Sequence, residues 1–114
     1  MKYEMKLNNE PFEKIKNKTK TIELRLNDEK RKLLKVKDLI EFTNINNNEK
    51  LLVEIVDLYH YSSFEELYKN IDKKLMGYDE DDIADPKDME KYYSIEEQSK
   101  YGVVGIKIKK LKDK

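Results

Sequence analysis

Glu23 and Arg25 stand two residues apart in the segment Lys18-Thr19-Lys20-Thr21-Ile22-Glu23-Leu24-Arg25. On an extended strand, where side chains alternate between faces, that spacing makes them neighbours on one surface. A carboxylate beside a planar guanidinium, with Lys20 near the strand start, is a polar set able to orient and hydrogen-bond a base or polar heterocycle. The basic flanks, Lys18 and Arg31 among them, would hold phosphate. On spacing alone, an ordinary exposed ion pair of little energetic consequence is the commoner outcome.

Other chemistries are poorly supplied. The chain has no Cys, which removes disulfides, thiol nucleophiles and thiolate metal sites together, and its single histidine is His60. A protein-built zinc centre is therefore not expected, nor is any other metal or cofactor. His60 follows Tyr59 at the end of an apolar strand and reads as a partly buried hydrogen-bonding residue without a functional role. The acidic run Asp79, Glu80, Asp81, Asp82 and Asp85 lacks the glycine and terminal glutamate of a calcium-binding loop, so it reads as a solvated loop. Tyr92, Tyr93 and Tyr101 could offer stacking platforms to an unpaired base, and Tyr93 is the candidate taken forward.

The chain's 114 residues suit one domain, and 38% hydrophobic residues can furnish one modest core beneath a surface where 42% of all residues are charged. Eight Tyr, three Phe and frequent Ile and Val argue for a folded chain despite that charge. No apolar run approaches the roughly 20 residues that span a bilayer, and the start lacks a signal-peptide pattern, so a cytoplasmic location is the expectation.

The zero net charge is unevenly spread. Residues 1–37 hold 12 Lys+Arg and 6 Asp+Glu, residues 38–99 hold 6 and 17, and residues 100–114 hold 6 and 1. If the two basic ends paired as neighbouring strands, one side of the molecule would suit a polyanion. Lys, Asn and Ile are abundant and Ala occurs only at position 84, so lysine as the default surface residue of an AT-biased genome explains the charge pattern more simply.

Several elements must position these residues. Met1, Tyr3, Met5 and Leu7 alternate with polar neighbours, predicting a half-buried strand. Asn9 can cap a short helix through about Asn17, with Pro11 in its first turn and Phe12 and Ile15 on one face. Residues 20–26 predict a strand with Ile22, Leu24 and Leu26 on one face and a charged face opposite. A turn at residues 27–30 precedes a short strand over 38–42 with Ile40 and Phe42 inward. Residues 44–49 form a polar connection, and residues 51–59, the most apolar stretch, predict a central strand covered on both faces. Ser62 with Glu65 and Ser63 with Glu66 both have capping-box spacing for a helix starting near Phe64, and Ser94 with Glu97 has it for a final turn. Pro86 can open a helix through Met89 and Tyr93, Gly102 closes the helical region, and Val104, Ile106 and Ile108 alternate in a closing strand. The order fits an α+β fold: a small, mostly antiparallel barrel with peripheral helices, and a frayed tail after Leu111.

The segment KTIELRLNDEKRKLLKVKDLIEF, residues 20–42, resembles the signature of the ASCH domain, a family of the PUA-like superfamily. The likeness continues at Ser63-Phe64-Glu65-Glu66-Leu67, at Met89-Glu90-Lys91-Tyr92-Tyr93-Ser94 and at Lys100-Tyr101-Gly102-Val103-Val104-Gly105-Ile106, so it covers nearly the whole chain. The resemblance implies a single domain over 1–114, a PUA-like β-barrel with a cleft beside the Lys-x-x-Glu-x-Arg strand, and an RNA, nucleotide or modified-nucleoside ligand, with oligomeric state left open. Lys20, Glu23 and Arg25 occupy the family positions.

One branch of small ASCH-like proteins deacetylates acetylated cytidine with a lysine, a threonine three residues later and a distant glutamate. Lys20 matches the lysine, but Glu23 stands in place of the threonine. A lysine nucleophile must first lose its proton, which a neighbouring carboxylate opposes. If the protein is an enzyme, an amidohydrolase or a ribonuclease, Lys20 and Glu23 are the catalytic candidates. A protein-interaction module with no nucleic-acid ligand is the remaining alternative. Lys18 and Lys37 replace glycines that related sequences carry in turns, so both turns must avoid positive φ or accept strain.

Overall fold

The computed structural model describes residues 1–111, and the expected fraying of the tail lies outside them. Five strands form one mixed sheet in the order β1-β3-β4-β5-β2. They are β1 (Lys2–Leu7), β2 (Ile22–Leu26), β3 (Leu39–Asn44), β4 (Lys50–Tyr61) and β5 (Val103–Lys110). β1 runs parallel to β3, while β3–β4, β4–β5 and β2–β5 are antiparallel. The two basic end segments do pair: β2, within residues 1–37, lies antiparallel beside β5, within residues 100–114, while β1 sits at the opposite edge.

The sheet curls into a half-barrel. β4 carries the bend, pairing with β3 through residues 50–54 and with β5 through residues 53–61, with a register irregularity between Ile55 and Asp57. An extra residue inserted in one strand sharpens local twist. β4 is central, as predicted, but it is not covered on both faces. Leu51, Val53 and Ile55 are buried, whereas Leu52 and Glu54 are half-buried and Val56 is exposed. Val56 continues the outward face of Leu52 and Glu54 by alternation, and that face is uncovered.

Helix α1 (Asn9–Lys16) connects the two edge strands and fills the hollow of the curl with Phe12 and Ile15, both buried against β1, β3 and β4 residues. Its N-cap is Asn8, not Asn9, and neither cap side chain bonds the helix; Asn9 instead accepts from buried Asn44 at 2.9 Å. A second apolar cluster joins Ile22, Leu24, Leu26 and Val103 to Phe64 and Leu67 of α2 (Phe64–Asn70).

Of the predicted capping boxes only one is complete, and Ser63 rather than Ser62 caps α2. Ser63 accepts from the Glu66 amide, and Ser94 with Glu97 forms a full capping box opening α3 (Ile95–Tyr101). Gly102 ends α3 at φ +73°, a conformation a Cβ disfavours. Pro86 opens only a 3₁₀ segment, Pro86–Lys91, that stops short of Tyr93. Six residues in 3₁₀ geometry bury no side chain fully, so too little apolar surface is gained to extend the turn into an α-helix.

Lys18 and Lys37 both accept positive φ, at +66° and +80°. A non-glycine residue pays roughly 1–2 kcal/mol there. Lys18→Gly and Lys37→Gly are each expected to raise stability by about 0.5 to 1 kcal/mol, the gain being reduced by the freedom glycine adds to the unfolded chain. A higher urea midpoint at unchanged m-value checks this.

Candidate functional site

Both faces of β2 are covered. Its apolar face packs on α2, and its charged face, expected to be solvated, is buried: Glu23 is 4% exposed and the Arg25 side chain 14%. Edge position makes this possible, because the curl brings β2 towards β1, the other edge. Arg25 Nη2 donates across that seam to the Lys6 carbonyl at 3.0 Å, a side chain standing where a closed barrel would have a backbone hydrogen bond.

The Glu23 carboxylate is fully occupied. Oε1 meets Lys20 Nζ at 2.8 Å and accepts from the Leu24 amide at 3.2 Å; Oε2 accepts from Arg25 Nε at 3.0 Å and lies 2.9 Å from Arg25 Nη2. Burial works against its ionisation, but Lys20 and Arg25 outweigh burial and hold the carboxyl down at about 2. For Arg25, burial is again opposed by the partners, Glu23 and then the Tyr93 hydroxyl, which together push its pKa up. Glu23 thus has neither the free lone pair of a general base nor the proton of a general acid. It is a brace that fixes two cations.

This triad lies in a cleft of about 620 Å³. Lys20, Glu23, Arg25 and Tyr93 all line it, so the structure brings four predicted residues together. It leaves two outside. Lys18 is exposed in the turn before β2 and does not line the cleft. Arg31 pairs with Asp28 at 3.7 Å and lines a separate hollow of about 130 Å³ with Tyr3 and Leu34. Tyr93 is held from behind: its ring stacks on Phe64 with centroids 5.9 Å apart. Buried Gln98 accepts from the Phe64 amide at 3.1 Å and donates to the Tyr93 carbonyl at 3.3 Å.

Sequence reasoning missed the other side chains of the cleft. Tyr68, Tyr78 and Asp88 line it and bond in series, Tyr68 to Tyr78 at 2.8 Å and Tyr78 to Asp88 at 3.0 Å. Each step joins residues ten apart from different elements, and no periodicity marks them. Gly77, at φ +101°, packs on the Lys20 stem so closely that a Cβ would lie 3.1 Å from Lys20 Cδ. Lys14 donates to the Gly77 carbonyl at 2.6 Å and sits 3.3 Å from Glu10. A positive-φ glycine beside an aromatic residue was the one local signal available.

The charge of the cleft differs from a phosphate groove. Lys6, Lys14, Lys20, Arg25 and Lys91 line it together with Glu10, Glu23, Asp82 and Asp88, so basic and acidic groups nearly balance. Among the described residues no cluster of His, Asp and Glu could hold a metal ion. His60, expected to be partly buried, is exposed near the end of β4 and has no place in the cleft. Loop 79–82 is solvent-exposed, and Lys73 Nζ donates to the Glu80 and Asp82 carbonyls.

The family model of the ASCH domain matches residues 5–112. The chain belongs to the ASCH domain family. The crystal structure of the hypothetical protein PH0355 is similar to this ASCH domain with a TM-score of 0.82 and 33% identity, covering 97% of this chain and 100% of that one. The solution structure of protein PF0455 from Pyrococcus furiosus is similar with a TM-score of 0.72 and 33% identity, covering 99% of this chain and 100% of that one. No curated protein matches the chain. Among the described residues of this ASCH domain, no helix is long and apolar enough to cross a membrane.

Proposed function

We propose that this ASCH domain binds a nucleoside, a nucleotide or an unpaired base of RNA in the cleft floored by Lys20, Glu23 and Arg25. The observation that carries the reading is the Lys20–Glu23–Arg25 triad. It is a pair of cationic hydrogen-bond donors, Lys20 and Arg25, fixed by buried Glu23 beside the half-buried ring of Tyr93, which suits a flat polar heterocycle. The family's association with RNA agrees with it, and the half-barrel is consistent with the PUA-like superfamily.

The near balance of charge in the cleft favours a base or nucleoside over a long stretch of phosphate backbone. Few phosphates would be neutralised, so the salt dependence of binding is expected to be shallow. Binding is preferred over amidohydrolase or ribonuclease action because Lys20 is tied to a carboxylate at 2.8 Å and Glu23 has no acceptor site left.

Titration calorimetry of the full chain with a nucleoside panel and a short single-stranded RNA tests this. Lys20→Met keeps the stem that packs on Gly77 but removes the donor, and binding is expected to weaken about tenfold or more, the usual loss for a charged hydrogen bond. Unchanged affinity in Lys20→Met, or no binding by the parent protein, defeats the proposal.

A further inference from the structure

The hydrogen-bond direction in the tyrosine series is determined by proton count. Tyr78 donates its one hydroxyl proton to Asp88 Oδ2. It therefore has none for Tyr68, and the 2.8 Å contact between the two hydroxyls must run from Tyr68 to Tyr78. Burial, and then the neighbouring Tyr68 and Asp88, push the Tyr78 hydroxyl's pKa well up, so the proton stays in place. With its own proton spent, the Tyr68 oxygen presents only lone pairs, and so does the second Asp88 oxygen. Lys20 is the opposite case. Its ammonium carries three donors and the triad uses one, at Glu23.

The cleft is thus polarised, with spare donors at Lys20 and bare acceptors at Tyr68 and Asp88. We infer that Tyr68 and Asp88 form an acceptor-only subsite, oriented by Tyr78, that selects ligands bearing a neutral N–H or O–H donor and rejects those with a carbonyl at that point. The shared chemistry is a hydrogen-bond donor, whose source is either an exocyclic amine of the base or the 2′-hydroxyl of the ribose. A carbonyl facing Tyr68 would oppose lone pair to lone pair at a subsite with no proton to spare, and would cover the half-buried acceptors without pairing them. This rests on the nucleoside reading proposed above.

The test is calorimetric titration of the full chain with ligands differing in one donor. Adenosine against purine riboside removes only the exocyclic amine, and cytidine against 2′-deoxycytidine removes only the 2′-hydroxyl; cytidine against uridine replaces the amine by a carbonyl and the neighbouring ring acceptor by an N–H. In the parent protein, loss of the recognised donor is expected to weaken binding about tenfold in one arm, which names the source. Tyr68→Phe keeps the ring and removes the acceptor, and Asp88→Ala removes the acceptor that draws the Tyr78 proton and so orients the series. In both variants the affinity ratio is expected to fall to about one, whereas general damage would weaken all ligands alike. Equal affinities in every arm of the parent, or a ratio that survives in both variants, overturns the inference while leaving the nucleoside reading intact. Absence of binding by all of these ligands overturns both.

Discussion

Glu23→Gln is expected to destabilise the domain by about 3–5 kcal/mol, the range for removing one partner of a buried ion pair. Against a total of roughly 5–15 kcal/mol for domains of this kind, that is a large fraction. The amide cannot neutralise Lys20 and Arg25, whose side chains are only 11% and 14% exposed, so two cations are left short of a counter-charge. The seam between β1 and β2 is also affected, because Glu23 holds the guanidinium that reaches the Lys6 carbonyl. Replacing all three members by apolar residues, as in Lys20→Met/Glu23→Leu/Arg25→Met, is expected to recover most of the loss while abolishing ligand binding. Urea unfolding of the single and triple variants measures both effects, and a Glu23→Gln protein as stable as the parent would contradict the triad.

The same group sets an acid limit. A carboxyl held near 2 in the folded state stabilises that state fully above its ordinary value of 4.5, and the contribution is lost as pH falls from there towards 2. The parent is expected to lose on the order of 3 kcal/mol from this group over that window. In Glu23→Gln this component of the pH dependence should be missing, which a series of unfolding curves between those pH values reads directly.

Phe64→Ala is expected to cost about 3–5 kcal/mol by the ordinary arithmetic of emptying an aromatic site in a core. Phe64 is fully buried at the start of α2, in the cluster that joins that helix to β2 and β5. Its second role is to support the Tyr93 ring, with which it stacks at 25° between planes. Removal leaves Tyr93 without its backing, and the cleft loses an aromatic wall beside Arg25. Ligand affinity is therefore expected to fall even at temperatures where the variant remains folded. Phe64→Leu refills much of the volume and is expected to restore stability more completely than binding. Paired denaturation and titration measurements separate the two effects, and equal recovery of both in Phe64→Leu would argue that Tyr93 needs no aromatic support.

Much of the fold was legible because it depends on neighbours in the chain. The alternation in β1, the capping serines at 63 and 94 and the glycine stop at 102 are local devices, and the structure uses each of them. The positive φ at Lys18 and Lys37 was legible only through the family pattern, since lysine itself gives no sign of it. Asn9 was misplaced by one residue because Asn8 and Asn9 are equally able caps. Arg31 lies apart from the cleft because proximity in sequence to β2 says nothing of which side of the half-barrel a connecting turn occupies.

By itself the sequence determined the strands, the starts of the two serine-capped helices and the pairing of Glu23 with Arg25, because periodicity and capping act over two to four residues. It also determined the family. Only the tertiary structure decided that this pair is buried and braced by Lys20, that the cleft is nearly neutral, and that Tyr68, Tyr78 and Asp88 meet within it. The reason is physical: exposure of a strand face and the meeting of residues from separate elements depend on how the sheet curls. That curl is set by a bulge in β4 and by α1 packed in the hollow, neither of which lies next to the residues whose surroundings it determines.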